Sequence, residues 1–147
     1  MATDYLHVGI SVRNLDESVK FYTEVLEMEE GLRVSHKGET ISRVVAVENA
    51  EVDVCYVTKG IHRLELIEYK NKDQAKLNTA YKSQDDPGLV HIAFIVDDVD
   101  ETYRRIKSLG YEFNSPPMIT RENGPKIAFF RGPDNVIIEL YQKADQK

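Results

Sequence analysis

A chain of 147 residues with 41% apolar and 30% charged side chains can bury a core, and its mixture excludes a fibrous or disordered polymer. A net charge of −6 speaks against a phosphate-binding surface, and no apolar run approaches the roughly 18 residues that span a bilayer, so neither nucleic acid nor membrane is expected as a partner. Met1-Ala2-Thr3-Asp4-Tyr5 shows no basic stretch followed by an apolar one, and the single Cys55 lies in the apolar run Val54-Cys55-Tyr56-Val57. No secretory signal and a reducing, cytoplasmic setting are expected, with Cys55 a core thiol rather than a nucleophile.

From residue 5 the chain alternates. Leu6, Val8, Ile10 and Val12 share one face of a strand, and His7, Gly9 and Ser11 share the other. Asn14-Leu15-Asp16-Glu17 reads as a helix N-cap with Glu three positions on, and Leu15, Val19, Tyr22, Val25 and Leu26 follow as one apolar stripe. The helix is expected to give out between Met28 and Gly31. Arg33-Val34-Ser35 and Arg43-Val44-Val45-Ala46-Val47 read as strand pieces flanking a turn at Lys37-Gly38-Glu39. Residues 52–58 and 64–69 are further strands. Residues 70–87 are rich in charged and polar side chains and read as a connector, with a short helix over 74–81.

Then the order repeats. Residues 90–96 form a strand, and Asp98 caps a helix with Glu101 three residues on. Val99, Tyr103, Ile106 and Leu109 form its stripe, Gly110 stops it, and residues 126–130 and 136–141 are strands joined by a turn at Gly132-Pro133-Asp134-Asn135. His91 follows His7 by 84 residues, and Glu139 follows Glu65 by 74. Ten extra residues in the first half, between its helix and its third strand, account for the difference. The chain reads as two copies of one strand-helix-strand-strand-strand unit.

Strand parity decides which side chains share a surface. Leu64 and Leu66, like Ile138 and Leu140, point to an apolar back, so Glu65 and Glu139 point the other way, in the same sense as His7 and His91. A carboxylate directed at a sheet interior is costly unless it is paired or bound to a cation. Two His and two Glu, one pair per copy, suit one divalent ion held by His7, Glu65, His91 and Glu139. Mixed imidazole and carboxylate donors accommodate Zn²⁺, Ni²⁺, Co²⁺, Mn²⁺ or Fe²⁺. His62, three residues from Glu65, falls on the opposite strand face, and His36 sits near a turn with no counterpart; both are read as surface residues.

The motifs His7-Val8-Gly9-Ile10-Ser11-Val12, Phe21-Tyr22-Thr23-Glu24-Val25-Leu26 and Leu64-Glu65-Leu66 recur as a set in the second half. There they are His91-Ile92-Ala93-Phe94-Ile95-Val96-Asp97-Asp98 and Gly132-Pro133-Asp134-Asn135-Val136-Ile137-Ile138-Glu139-Leu140. On these residues, over about 5–142, the chain resembles the vicinal oxygen chelate superfamily. That group includes glyoxalase I, methylmalonyl-CoA epimerase, extradiol dioxygenases and the fosfomycin and bleomycin resistance proteins.

The resemblance implies an α+β fold: paired βαβββ modules forming a curved, barrel-like mixed sheet around a metal site, commonly as a homodimer. A single domain over 1–147 is expected, with modules at 5–70 and 89–142 and a connector at 71–88. It also implies a metal-dependent lyase or isomerase of glyoxalase type acting on a small carbonyl or thioester substrate. Glu139 and Glu65 would move a proton alpha to a carbonyl through a metal-stabilised enediolate.

Three other readings are weighed against this one. An acyl-CoA epimerase resembles the chain in its second-half entry but carries an amide at the Glu65 position; Glu48 would be a candidate second base. An extradiol dioxygenase resembles a two-His, one-carboxylate site that Glu65 would crowd. A non-catalytic binding or resistance protein of the bleomycin type lacks the metal set present here. Bacterial glyoxalase I carries an arginine at the Ser11 position to hold glutathione, so Arg63 and Arg121 are candidate substitutes.

Overall fold

A computed structural model describes residues 3–77, 79–80, 83–85 and 87–144. It divides into two units, residues 1–78 and 79–147. In the first unit the elements are β1 (Val8–Ser11), α1 (Leu15–Lys20), β2 (Glu29–Lys37), α2 (Glu39–Val45), β3 (Glu51–Lys59) and β4 (His62–Tyr69). In the second they are β5 (His91–Ile95), α3 (Val99–Ser108), β6 (Met118–Ile119), β7 (Lys126–Arg131) and β8 (Ile137–Gln142).

Each unit folds one four-stranded mixed sheet, in the orders β1-β4-β3-β2 and β5-β8-β7-β6. The first strand of each runs parallel to the last, and the remaining pairs are antiparallel. The α+β class and the two βαβββ units match the expectation. The sheet itself is two open sheets, neither closed into a barrel.

The helix stripes dock as their spacing predicts. Leu15, Val19, Tyr22, Val25 and Leu26 are all buried, and α1 packs on β3 and β4. After Lys20 the chain widens into one π-helical turn, Phe21–Val25, so regular α-helix ends earlier than the apolar pattern suggests. In α3, Val99 and Ile106 are fully buried over β7 and β8, but Leu109 is exposed because it already caps the helix. Gly110 stops α3 with φ 94, a conformation that favours glycine.

Strand parity holds as well. Leu64, Leu66, Ile138 and Leu140 are buried. Burying a side chain of this size contributes about 1.5–3 kcal/mol, against about 0–1 for an exposed ion pair such as Arg33 with Asp16. The apolar faces therefore decide the fold.

Two expectations need correction. Residues 43–47 are not a strand: α2 occupies 39–45 and Ala46 ends it in the left-handed region. Gly38 opens that helix, and the Ser42 hydroxyl donates to the Gly38 carbonyl and accepts from the Ala50 amide. Valine's strand preference loses because β3 is already flanked by β2 and β4. This helix fills the ten-residue excess of the first half. In the second half the stretch left unassigned before residue 126 contains β6, which pairs Met118 with Ile127 and Ile119 with Lys126. The expected helix over 74–81 is a short 3-10 turn, Gln74–Lys76, and its part at Asn78 and Tyr81 lies outside the described residues.

A duplicated tie at the helix starts is invisible to the motif reading. Asn14 and Asp98 cap the third amides of their helices, as expected. The first amides, Leu15 N and Val99 N, are orphans that no N-cap side chain reaches. Glu68 Oε2 accepts from Leu15 N at 2.8 Å, and Gln142 Oε1 accepts from Val99 N at 2.9 Å. Both acceptors sit three residues beyond the matched glutamates Glu65 and Glu139.

Glu68 is buried and also accepts from Lys70 Nζ at 2.8 Å. Replacing Glu68 with alanine should cost about 1–3 kcal/mol by stranding a buried donor. Glu68→Gln, which copies the second unit's solution, should recover most of the loss. Urea midpoints of the two variants measure this, and an alanine variant as stable as the parent would refute the tie.

Candidate functional site

Each unit brings its own histidine and glutamate into contact. His7 lies immediately before β1, while His91 is the first residue of β5. Parallel pairing sets Gly9 beside Glu65 on β4 and Ala93 beside Glu139 on β8. These small residues leave the carboxylates uncovered. A Cβ at Gly9 would stand 3.7 Å from Glu65 Oε2, an ordinary contact, which is why alanine serves in the second copy.

His7 Nε2 is 3.0 Å from Glu65 Oε2, and His91 Nε2 is 3.2 Å from Glu139 Oε2. All four side chains keep between 13% and 34% of their accessible surface, so the pairs are part-buried and reachable from solvent.

The His91 pair is chemically the more telling. His91 Nδ1 lies 3.1 Å from Gln84 Oε1, an acceptor, so Nδ1 carries the hydrogen. In the neutral ring Nε2 then presents a lone pair to an anionic carboxylate 3.2 Å away. Two electron-pair donors face each other there, and the arrangement needs a cation: a second proton on the imidazole or a metal ion. His7 Nδ1, by contrast, is buried with no hydrogen-bond partner among the described residues.

The spacing itself fits an ion. Donors bound at about 2.1 Å in adjacent positions of an octahedron stand about 3 Å apart, as the two Nε2–Oε2 distances do. Among the described residues no group of three or more His, Cys, Asp or Glu is gathered to hold an ion; what each unit offers is a pair.

Residue 56 is a participant that the sequence reading passed over. Tyr56 is the antiparallel partner of Glu65, and its hydroxyl donates to Glu65 Oε1 at 2.8 Å. Glu65 therefore spends one oxygen on Tyr56 and the other on His7. The hydrogen bond to Glu65, and then burial, push the Tyr56 phenol up from its ordinary pKa and keep it a donor. Arg63 lies over the Tyr56 ring, 5.3 Å from its centroid.

The corresponding partner of Glu139 is Phe129, whose ring meets His91 edge-on at 5.4 Å. Counting 74 residues from Tyr56 would have reached Phe130 instead. The β7–β8 connection is longer than the two-residue β3–β4 turn, so the offset at this strand is 73. Left-handed Asp134 and Asn135 build that longer connection.

The remaining candidates stand apart from the pairs in kind. Glu48, Arg121, His36 and His62 are exposed. Arg63 is exposed too, but its place over Tyr56 puts it beside the first pair. Ser11 is exposed at the end of β1. Cys55 is fully buried, and burial pushes its thiol up, away from nucleophilic character.

Residues 5–140 match the family model of the glyoxalase/bleomycin resistance protein/dioxygenase superfamily. The chain belongs to this superfamily. A probable lactoylglutathione lyase of Vibrio parahaemolyticus is 34% identical over 147 residues, covering 93% of this chain and 88% of its own length. The lactoylglutathione lyase of Escherichia coli O157:H7 is 31% identical, covering 95% and 93%. A glyoxalase family protein from Bacillus cereus superposes with a TM-score of 0.83 over 99% of both chains at 23% identity, which establishes a shared fold. No helix among the described residues is long and apolar enough to cross a membrane.

Proposed function

We propose that this member of the superfamily is a divalent-metal-dependent, glyoxalase-type enzyme that moves a proton between adjacent carbons of a small carbonyl substrate. His7, Glu65, His91 and Glu139 are its metal ligands, one His–Glu pair from each unit. The observation that carries the reading is the repeated Nε2–Oε2 approach at matched positions of the two units, a spacing that suits two donors to one ion. The lactoylglutathione lyases among the relatives support the reaction class.

The bound ion would act as a Lewis acid toward vicinal substrate oxygens. The chain's own residues do the rest. His91, whose Nδ1 meets Gln84, and His7, beside Glu65, would hold the ion through their Nε2 atoms. A glutamate then accepts the proton from the carbon alpha to the carbonyl. The C–H electron pair forms the C=C bond as the carbonyl π pair moves onto its oxygen. The same proton then returns to the neighbouring carbon while the hydroxyl proton passes to the former carbonyl oxygen, leaving the new carbonyl on the first carbon. No oxidant or reductant is consumed.

With serine at residue 11, the thiol portion of a hemithioacetal must be anchored elsewhere. Arg63, which lies over the Tyr56 ring beside the first pair, is the candidate cation for that anchor.

The test is metal titration of the purified chain alongside His7→Ala and His91→Ala, followed by a screen of hemithioacetals, acyl-CoA thioesters and catechols. Binding of one divalent ion per site, weakened at least about 10-fold in each variant, with turnover of hemithioacetals, is the expected result. Turnover of acyl-CoA thioesters alone would replace the reaction with an epimerase, and a chain that binds no divalent ion would refute the reading.

A further inference from the structure

The two His–Glu pairs differ in what faces the carboxylate across the sheet. Glu65 and Glu139 occupy matched positions, each with a histidine nitrogen about one hydrogen-bond length from Oε2. Across the antiparallel ladder Glu65 faces Tyr56 and Glu139 faces Phe129. Both aromatic rings accompany the local histidine, His7 at 6.0 Å from Tyr56 and His91 at 5.4 Å from Phe129. One difference is the phenol oxygen, which donates to Glu65 Oε1 at 2.8 Å, where Phe129 offers Glu139 no donor.

We infer that Tyr56 is a positioning residue that makes the two carboxylates unequal: it holds Glu65 as a fixed ion ligand and leaves Glu139 as the carboxylate that departs to carry the proton. The inference rests on the metal set proposed above.

The physical basis is geometric. A carboxylate with both oxygens engaged, one by a phenol and one beside His7 Nε2, cannot swing without breaking the Tyr56 bond. Arg63 over the Tyr56 ring restrains the phenol in turn. A base, by contrast, must rotate away from the ion and return. At position 129 a ring of the same shape without a donor packs His91 while imposing no such tether. Glu139 accepts the proton from the substrate C–H as that electron pair enters the C=C bond, then returns it to the adjacent carbon.

Because the register at 56/65 and 129/139 is the same, each ring can be exchanged for the other. Tyr56→Phe and Phe129→Tyr, singly and together, are compared with the parent by chelator competition for Co²⁺ and by the visible spectrum of the Co²⁺ form. Steady-state kinetics on a hemithioacetal follow, with thermal midpoints confirming that each variant folds. Tyr56→Phe is expected to weaken Co²⁺ binding about 10–100-fold and to alter the Co²⁺ spectrum. Phe129→Tyr is expected to tighten Co²⁺ and to lower kcat about 10-fold at unchanged KM, since it tethers the base. The double variant should recover Co²⁺ affinity while keeping the low kcat.

Co²⁺ affinity and spectrum unchanged in Tyr56→Phe would overturn the role of Tyr56 while leaving the metal reading intact. A parent chain that binds no Co²⁺ would overturn both. A Phe129→Tyr variant with undiminished kcat would overturn the division of labour.

Discussion

Glu139→Gln is expected to lower kcat/KM on a hemithioacetal about 10²–10⁴-fold, the range that a positioned general base contributes. Glutamine keeps the shape of the side chain and an acceptor oxygen toward His91, but it cannot act as a base at neutral pH. The experiment is done at saturating metal, with metal content measured on the same sample, so that a binding loss is separated from a chemical one. The matching Glu65→Gln variant should lose metal affinity more than it loses kcat, because Tyr56 already commits Glu65 to a static role. A Glu139→Gln enzyme within a few-fold of the parent at full metal occupancy would remove Glu139 from the reaction.

The second large effect is on stability and tests the register of the β7–β8 pair. Phe130 is completely buried and stacks with Phe113 at 4.9 Å and Tyr111 at 5.9 Å. Its neighbour Phe129 points to the opposite face, toward His91. Phe130→Ala should cost about 3–5 kcal/mol through lost burial and the cavity left behind, a large share of the about 5–15 kcal/mol that holds a domain folded. Phe129→Ala should cost about 1 kcal/mol, the value of an edge-on aromatic contact at a half-exposed position. Urea unfolding of both variants measures the difference. A larger loss at 129 than at 130 would mean that the two faces of β7 have been exchanged, and with them the partner assigned to Glu139.

Much of this was legible because periodicity is a local property. The period-2 alternation around Glu65 and Glu139 fixes which face each carboxylate takes, since the back-face leucines and isoleucines cannot be left in water. The caps at Asn14 and Asp98 involve atoms three residues apart, so they could be read directly. The α2 segment could not, because valine propensity is weaker than the demand that β3 take β2 and β4 as its neighbours. Nor could β6, whose two residues carry too little pattern to announce a strand.

The sequence by itself determined the duplication, the four ligand candidates and the faces they occupy, because each follows from spacing along one strand or helix. The tertiary structure alone decided what meets what across strands. It set Tyr56 rather than Cys55 against Glu65, Phe129 rather than Phe130 against Glu139, and Glu68 and Gln142 beneath the first amides of the two helices. Those pairings depend on turn lengths and register, where one added residue moves a side chain to the other face. The one phenol that meets Glu65, and the phenyl ring that faces Glu139, are both set by that register.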